Sequence, residues 1–186
     1  MCVGAGQGAA GDVSVKAGIT GAADSIGGAI NIESGKGTQT SSGAISLTTS
    51  DGGTAGVSGN IGLTTGDTAN GNTGTIAFTS GTSAGGKGGS VTLSVGDGDT
   101  GVGGDITIDA GKTTASNSAG GVVAIQSGAS TQGRSGKVSL NTLDGGVSGN
   151  IEIETGATTG GTSGVITLNT GKSTGGKGGS VTLSVG

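Results

Sequence analysis

One short motif recurs along the whole chain and constrains its fold more than any other feature. It consists of a glycine, any residue, Ile or Val, any residue, a second large apolar residue, any residue and a small residue. The motif glycines open twelve units spaced 13 to 17 residues apart, most often 15. A fixed period of this kind is typical of a repeat array, in which each unit packs only against its neighbours. The motif glycines are Gly11, Gly28, Gly43, Gly59, Gly74, Gly89, Gly104, Gly121, Gly136, Gly149, Gly164 and Gly179.

A second level of repetition divides the chain into two six-unit blocks, about 1–95 and 96–186. The sequence GGKGGSVTLSVG fills residues 85–96 and again residues 175–186. Motif glycines of the second block follow those of the first by 90 or 93 residues. We therefore interpret residues 1–186 as a single repeat domain. Because both ends of the sequence interrupt a predicted strand near the same phase of the motif, the sequence predicts a segment of a longer array.

Each unit carries two large apolar residues separated by one residue, and we call these two residues an apolar pair. Alternation with period two between glycines predicts a strand with one buried face, whereas no helical period is present. We therefore expect the pairs to point inward and form a thin core. The pairs are Val13/Val15, Ile30/Ile32, Ile45/Leu47, Ile61/Leu63, Ile76/Phe78, Val91/Leu93, Ile106/Ile108, Val123/Ile125, Val138/Leu140, Ile151/Ile153, Ile166/Leu168 and Val181/Leu183.

Strands that recur at a constant period predict an all-β fold, a parallel β-solenoid. One unit of about 15 residues per coil is favoured, because the connections also repeat in detail. A triangular β-helix with three units per coil is the alternative, and an antiparallel meander or barrel remains open. Glycines in the connections predict corners with positive φ. Their recurrent Ser, Thr and Ala predict inward positions with little room.

Composition excludes several classes of protein. The chain has 48 Gly but no Pro, so a collagen triple helix is excluded. Disorder is disfavoured, because the aliphatics keep a fixed phase and only 11% of residues are charged. A net charge of −4 without a basic patch disfavours nucleic acid as a partner. The sequence predicts no membrane span, and it shows no secretory signal at Met1. One cysteine, Cys2, excludes an internal disulfide framework.

The residues that carry chemistry do not form a catalytic constellation, and the sequence predicts neither an enzyme nor a cofactor. There is no His, and no Ser or Thr has a recognisable activating partner. Asp97, Asp99 and Asp105 form a weak candidate for Ca²⁺, because carboxylates in a glycine-rich turn offer oxygen ligands. The first block has Ala5 and Gln7 at the places of Asp97 and Asp99. Solvated turn carboxylates are therefore the favoured interpretation, and no metal is expected.

The residues that alternate with the apolar pairs raise an alternative class, a ligand-binding surface. Regularly spaced Thr on a flat face is typical of ice-binding solenoids, but charges at Lys16, Glu33 and Glu152 interrupt this array. A carbohydrate groove would need several aromatic side chains, and Phe78 is the only one. Ice or weak carbohydrate binding is therefore the second hypothesis. The outward Thr and Ser pairs include Thr92/Ser94, Thr107/Asp109, Thr167/Asn169 and Thr182/Ser184.

The segments SGVITLNTG and GKSTGGKGG, with the variant VGDGDTGVGGDITIDAG at residues 95–111, resemble the Gly/Ser/Thr-rich β-solenoid repeat proteins predicted in diatoms and related marine microalgae. More loosely, they are similar to the solenoid shafts of bacterial adhesins. The resemblance covers essentially the whole chain and implies a secreted or cell-surface structural protein, without implying any functional residue. We therefore expect a stiff extracellular shaft, matrix or adhesive fibre element. Matching terminal phases predict end-to-end association into filaments, with Cys2 near the junction.

Overall fold

The computed structural model of the chain describes residues 10–186, and these residues contain no helix and no strand. The predicted all-β fold is therefore wrong for this part of the chain, both as a parallel β-solenoid and as a triangular β-helix. The chain divides into two units, Met1–Thr92 and Leu93–Gly186. The predictions that concern Met1, Cys2, Ala5 and Gln7 lie outside the described residues.

The missing element is the ladder of hydrogen bonds that would join neighbouring strands. A folded protein makes about one internal hydrogen bond per residue, two-thirds of them between backbone groups. Within residues 10–186 only five backbone–backbone hydrogen bonds form, and each closes a turn or loop. The apolar pairs of residues 10–186 therefore alternate as in a strand, but no neighbouring backbone segment pairs with them through a ladder of hydrogen bonds.

Two kinds of segment alternate in each unit of the structure. The first, which we call a pair segment, begins at a motif glycine, contains an apolar pair and runs without a turn or bend, as in residues 74–79. The second is the connection to the next pair segment, and it always contains a turn or bend. These turns and bends lie at 22–24, 38–40, 54–55, 69–71, 84–86, 99–102, 115–117, 131–133, 145–147, 159–161 and 174–176.

Each connection closes on itself at a contact that we call the neck. There the motif glycine lies against the residue that ended the previous pair segment. A Cβ atom added to Gly28 would lie 3.1 Å from the Gly18 nitrogen and 3.3 Å from the Ala17 Cβ, so the two backbones approach closely. The residues that meet at the necks are Ala17/Gly28, Ser34/Gly43, Thr49/Gly59, Thr65/Gly74, Ser80/Gly89, Val95/Gly104, Ala110/Gly121, Ser127/Gly136, Thr142/Gly149, Thr155/Gly164 and Thr170/Gly179.

Close contacts, rather than positive φ, distinguish several of the motif glycines. At Gly104 an added Cβ would lie 2.8 Å from the Val95 Cγ1 atom, so a side chain there would force the neighbouring atoms to shift. Among the described glycines, only Gly101 has a left-handed φ, of 76°. The expectation of positive φ at glycine corners therefore holds only at Gly101, in the bend at 99–102, and is wrong at the other described glycines. Two further left-handed positions belong to Asp24 and Asn117, with φ of 60° and 59°, and these residue types tolerate that conformation better than most.

Hydroxyl groups in the connections act as caps of the turns. The Ser130 Oγ accepts a hydrogen bond from the Gly133 N–H at 2.8 Å, and the Ser173 Oγ accepts one from the Gly176 N–H at 3.0 Å. Short polar side chains that bond to nearby backbone groups in this way favour turns over strands. These serines do not occupy tight inward positions, as the sequence had suggested; they are exposed and satisfy the backbone of their own loop.

Corresponding loops of the two sequence blocks have the same local geometry. The loop 18–28 closes with a backbone hydrogen bond of 2.9 Å, and the loop 111–121 closes with one of 2.8 Å. Each loop places its left-handed residue, Asp24 or Asn117, six positions after its first glycine. Repetition of the sequence at a distance of 93 residues therefore produces repetition of the loop conformation.

No residue between 10 and 186 is buried, and the described part of the chain has no hydrophobic core. The expectation that the apolar pairs point inward is therefore wrong. The structure exposes 18377 Å² of surface. A compact protein of 16.8 kDa would expose about 7,700 Å², and its unfolded chain about 24,000 Å². One copy of the chain thus covers only about a third of the area that folding normally covers.

Candidate functional site: the exposed apolar pairs

The apolar pairs are the largest chemically uniform feature of the surface. In all twelve pairs the first member is less exposed than the second, as for Ile106 and Ile108 at 50% and 65% and for Ile166 and Leu168 at 51% and 74%. The first member comes two residues after the motif glycine, and the second comes two residues before the residue that forms the next neck. In each pair segment the second apolar side chain is the more exposed of the two.

Little charge accompanies these apolar surfaces. The residue between the two members of a pair is neutral in every unit except one, where Glu152 separates Ile151 from Ile153. The residue that follows a pair is charged in only a few units, as at Lys16 and Asp109. A second apolar surface could therefore approach most pair segments without desolvating a charged group, which would otherwise oppose the contact.

Apolar side chains also occur in the connections, but without the pairing. Val102 and Val147 are 98% and 94% exposed, and neither has an apolar neighbour two residues away. Single exposed apolar residues are common on protein surfaces, whereas contiguous apolar patches usually mark interaction sites. The pairs, rather than these isolated valines, are therefore the candidate site.

The structure does not assemble the three candidate calcium ligands. Asp97, Asp99 and Asp105 are all exposed. Throughout residues 10–186, no group of three His, Cys, Asp or Glu side chains lies close enough to hold a metal ion. Asp99 lies in the bend at 99–102, whereas Asp105 follows the neck formed by Gly104. The turn geometry thus separates these carboxylates instead of directing them at one point.

The residues considered for ice binding are likewise exposed but not ordered into a plane. Thr92, Thr107, Thr167 and Thr182 lie on pair segments, and no sheet joins those segments in the described part of the chain. Their spacing on a common face is therefore not set by the fold. Ice or carbohydrate binding stays a prediction from the sequence pattern.

The described residues form no cavity that could enclose a small ligand. Between residues 10 and 186, no helix is long and apolar enough to cross a membrane. No protein-family model, no characterised protein and no solved structure matches this chain. The chemistry of the surface itself is therefore what bears on function, and its main feature is a recurring apolar pair without a partner.

Proposed function

We propose that this chain is a structural element of an extracellular shaft, matrix or adhesive fibre, and that it acts by associating with further copies of itself. The observation that carries the proposal is the exposure of all twelve apolar pairs. A soluble monomer rarely leaves so much regularly placed apolar surface open to water. Association is the process that can cover it.

The area available supports association rather than a small-ligand function. The surface of 18377 Å² exceeds that of a compact chain of this mass by roughly 10,000 Å². A standard stable protein–protein interface buries about 1,600 Å² in total. The chain therefore retains enough uncovered surface for contacts with more than one neighbour, as a fibre or matrix needs.

The composition supports an associating chain over a permanently solvated one. Disordered segments combine low hydrophobicity with high net charge, which keeps them open. Here the hydrophobic fraction is 30%, the charged fraction is 11% and the net charge is −4. Electrostatic repulsion between copies is accordingly weak, and an extracellular location follows the resemblance to secreted repeat proteins described above.

The proposal predicts a concentration-dependent transition. Light scattering over a dilution series should show a critical concentration, and electron microscopy above it should show extended assemblies. The measurement should use a reducing buffer, so that Cys2 cannot produce crosslinks. A protein that stays monomeric up to millimolar concentration would contradict the proposed function. The narrower prediction of end-to-end contacts involves residues 1–9, which lie outside the described part of the chain.

A further inference from the structure

We propose that the apolar pairs are covered by a second copy of this chain, aligned in the same direction and displaced by one six-unit block. This inference rests on the proposed function and specifies its interface. Pair segments of the first block of one copy would contact pair segments of the second block of the next. Four features of the molecule support this alignment: the exposed pairs, the unit spacings, the matching conformation of two loops and the positions of the charges.

The exposed pairs identify the kind of partner. A surface of alternating aliphatic and neutral residues fits another surface of the same pattern, because apolar contacts need complementary area rather than specific polar groups. Every pair segment carries that pattern, and the connections between them are closed loops with their own internal contacts. A second copy of the chain is therefore a suitable partner, because its apolar pairs recur at the same intervals along the sequence.

The unit spacings select the alignment. Successive motif glycines are separated by 17, 15, 16, 15, 15, 15, 17, 15, 13, 15 and 15 residues. A displacement of six units places the 17-residue spacings opposite each other and matches four of the five spacings compared. A parallel displacement of one unit places long connections opposite short ones. Among parallel alignments, only displacements of zero and six units match more than half of the spacings compared.

The structure adds a conformational match to the match in length. The 17-residue units contain the loops 18–28 and 111–121, which have the same closing hydrogen bond and the same left-handed position. Two loops of equal shape can lie side by side without forcing their pair segments out of register. The six-unit displacement brings these two loops together.

The charges distinguish displacement by six units from direct superposition. With no displacement, each of the 8 basic and 12 acidic residues faces its own copy, and like charges that face each other are unfavourable. With a displacement of six units, Lys16 faces Asp109. Glu152 and Glu154 then face neutral residues, Gly62 and Thr64. Only three like-charged pairs remain, namely Asp12/Asp105, Asp51/Asp144 and Lys87/Lys177.

Site-directed crosslinking tests this alignment. In a Cys2→Ser background, Ser46→Cys and Ser139→Cys each place one thiol at the same position of corresponding units in the two blocks. An equimolar mixture of the two proteins, assembled and then mildly oxidised, should yield mainly the mixed disulfide dimer. Thr92→Cys, three units away from Ser46, is the matched control and should give little mixed dimer with Ser46→Cys.

The outcomes of the crosslinking separate the two proposals. A dominant Ser139→Cys homodimer would overturn the displacement, because it requires superposed copies. Equal yields with the Thr92→Cys control would also overturn it, because they indicate no preferred alignment. If no assembly forms at any concentration, the proposed function itself fails.

A charge exchange provides a second, independent test. Lys16→Asp or Asp109→Lys alone should raise the critical concentration about two- to tenfold, because each places like charges at the interface. The double variant restores the opposite pair and the net charge of −4, and should return to the wild-type value. Lys36→Asp, whose counterpart is the neutral Ala129, is the control for net charge alone. Additive effects without rescue in the double variant would overturn the pairing of Lys16 with Asp109.

Discussion

Shortening a single apolar side chain should weaken association without altering the separate chain. Leu168 is 74% exposed, so its contribution to the single chain is small. Burying a whole leucine side chain is worth roughly 1.5–3 kcal/mol. About three-quarters of that, roughly 1–2 kcal/mol, remains to be gained when another copy covers Leu168. The variant Leu168→Ala should lose most of this gain, and its critical concentration should rise by about 5- to 30-fold.

The matched control is Val147→Ala, which shortens an exposed apolar residue outside the pairs. Its critical concentration should stay within about twofold of the wild type, since isolated surface substitutions have small effects. Light scattering on dilution series of the three proteins measures these values. Circular dichroism well below the critical concentration should give superimposable spectra. Equal critical concentrations for Leu168→Ala and Val147→Ala would refute the assignment of the pairs as the interface. A changed circular dichroism spectrum of monomeric Leu168→Ala would show that Leu168 belongs to a core within one chain.

Further outcomes follow from the loops and turns. Gly28→Ala should open its neck and speed amide exchange at residue 28, because the new Cβ would lie 3.1 Å from a backbone nitrogen. The control Gly21→Ala adds a Cβ with nothing within 4 Å and should leave the exchange rate unchanged. Asp24→Ala should destabilise the same loop by about 1 kcal/mol, because alanine is disfavoured at a φ of 60°. Amide exchange measures this loss as well, and the control Asp24→Gly should not destabilise the loop. Most amides of the dilute chain should exchange almost as fast as free peptide and become protected on assembly. Millimolar Ca²⁺ or a chelator should leave the critical concentration unchanged, because Asp97 and Asp99 belong to no metal-holding group; a marked shift would restore the calcium hypothesis.

The sequence predicted the periodicity correctly but not how the periodic segments are used. The pairs at Ile166 and Leu168 have the alternation of a half-buried strand, and alternation specifies which residues share a face. It does not specify whether the partner of that face lies in the same chain. The necks bear on this point. Each neck joins the end of one pair segment to the start of the next, and among the described residues no hydrogen-bonded ladder forms between pair segments. Nothing in the pattern of Ile and Leu residues could have indicated that closure.

The roles of the small residues were only partly readable from the sequence. Recurrent detail in the connections did indicate ordered loops, and bends do recur in all of them. Ser130 and Ser173 act as turn caps, and the signal for this was a hydroxyl residue three positions before a glycine. Glycines in the connections were attributed to positive φ, but among the described glycines only Gly101 has it, whereas a motif glycine such as Gly104 lies in a close contact with Val95. Steric contacts between residues nine positions apart are not visible in local conformational preferences.

The necks have a consequence for how the chain forms its loops. Each one joins residues only seven to eleven positions apart, so every loop can form as soon as its own segment is available. Loops of this kind form one after another along the chain, and none of them has to wait for a distant segment.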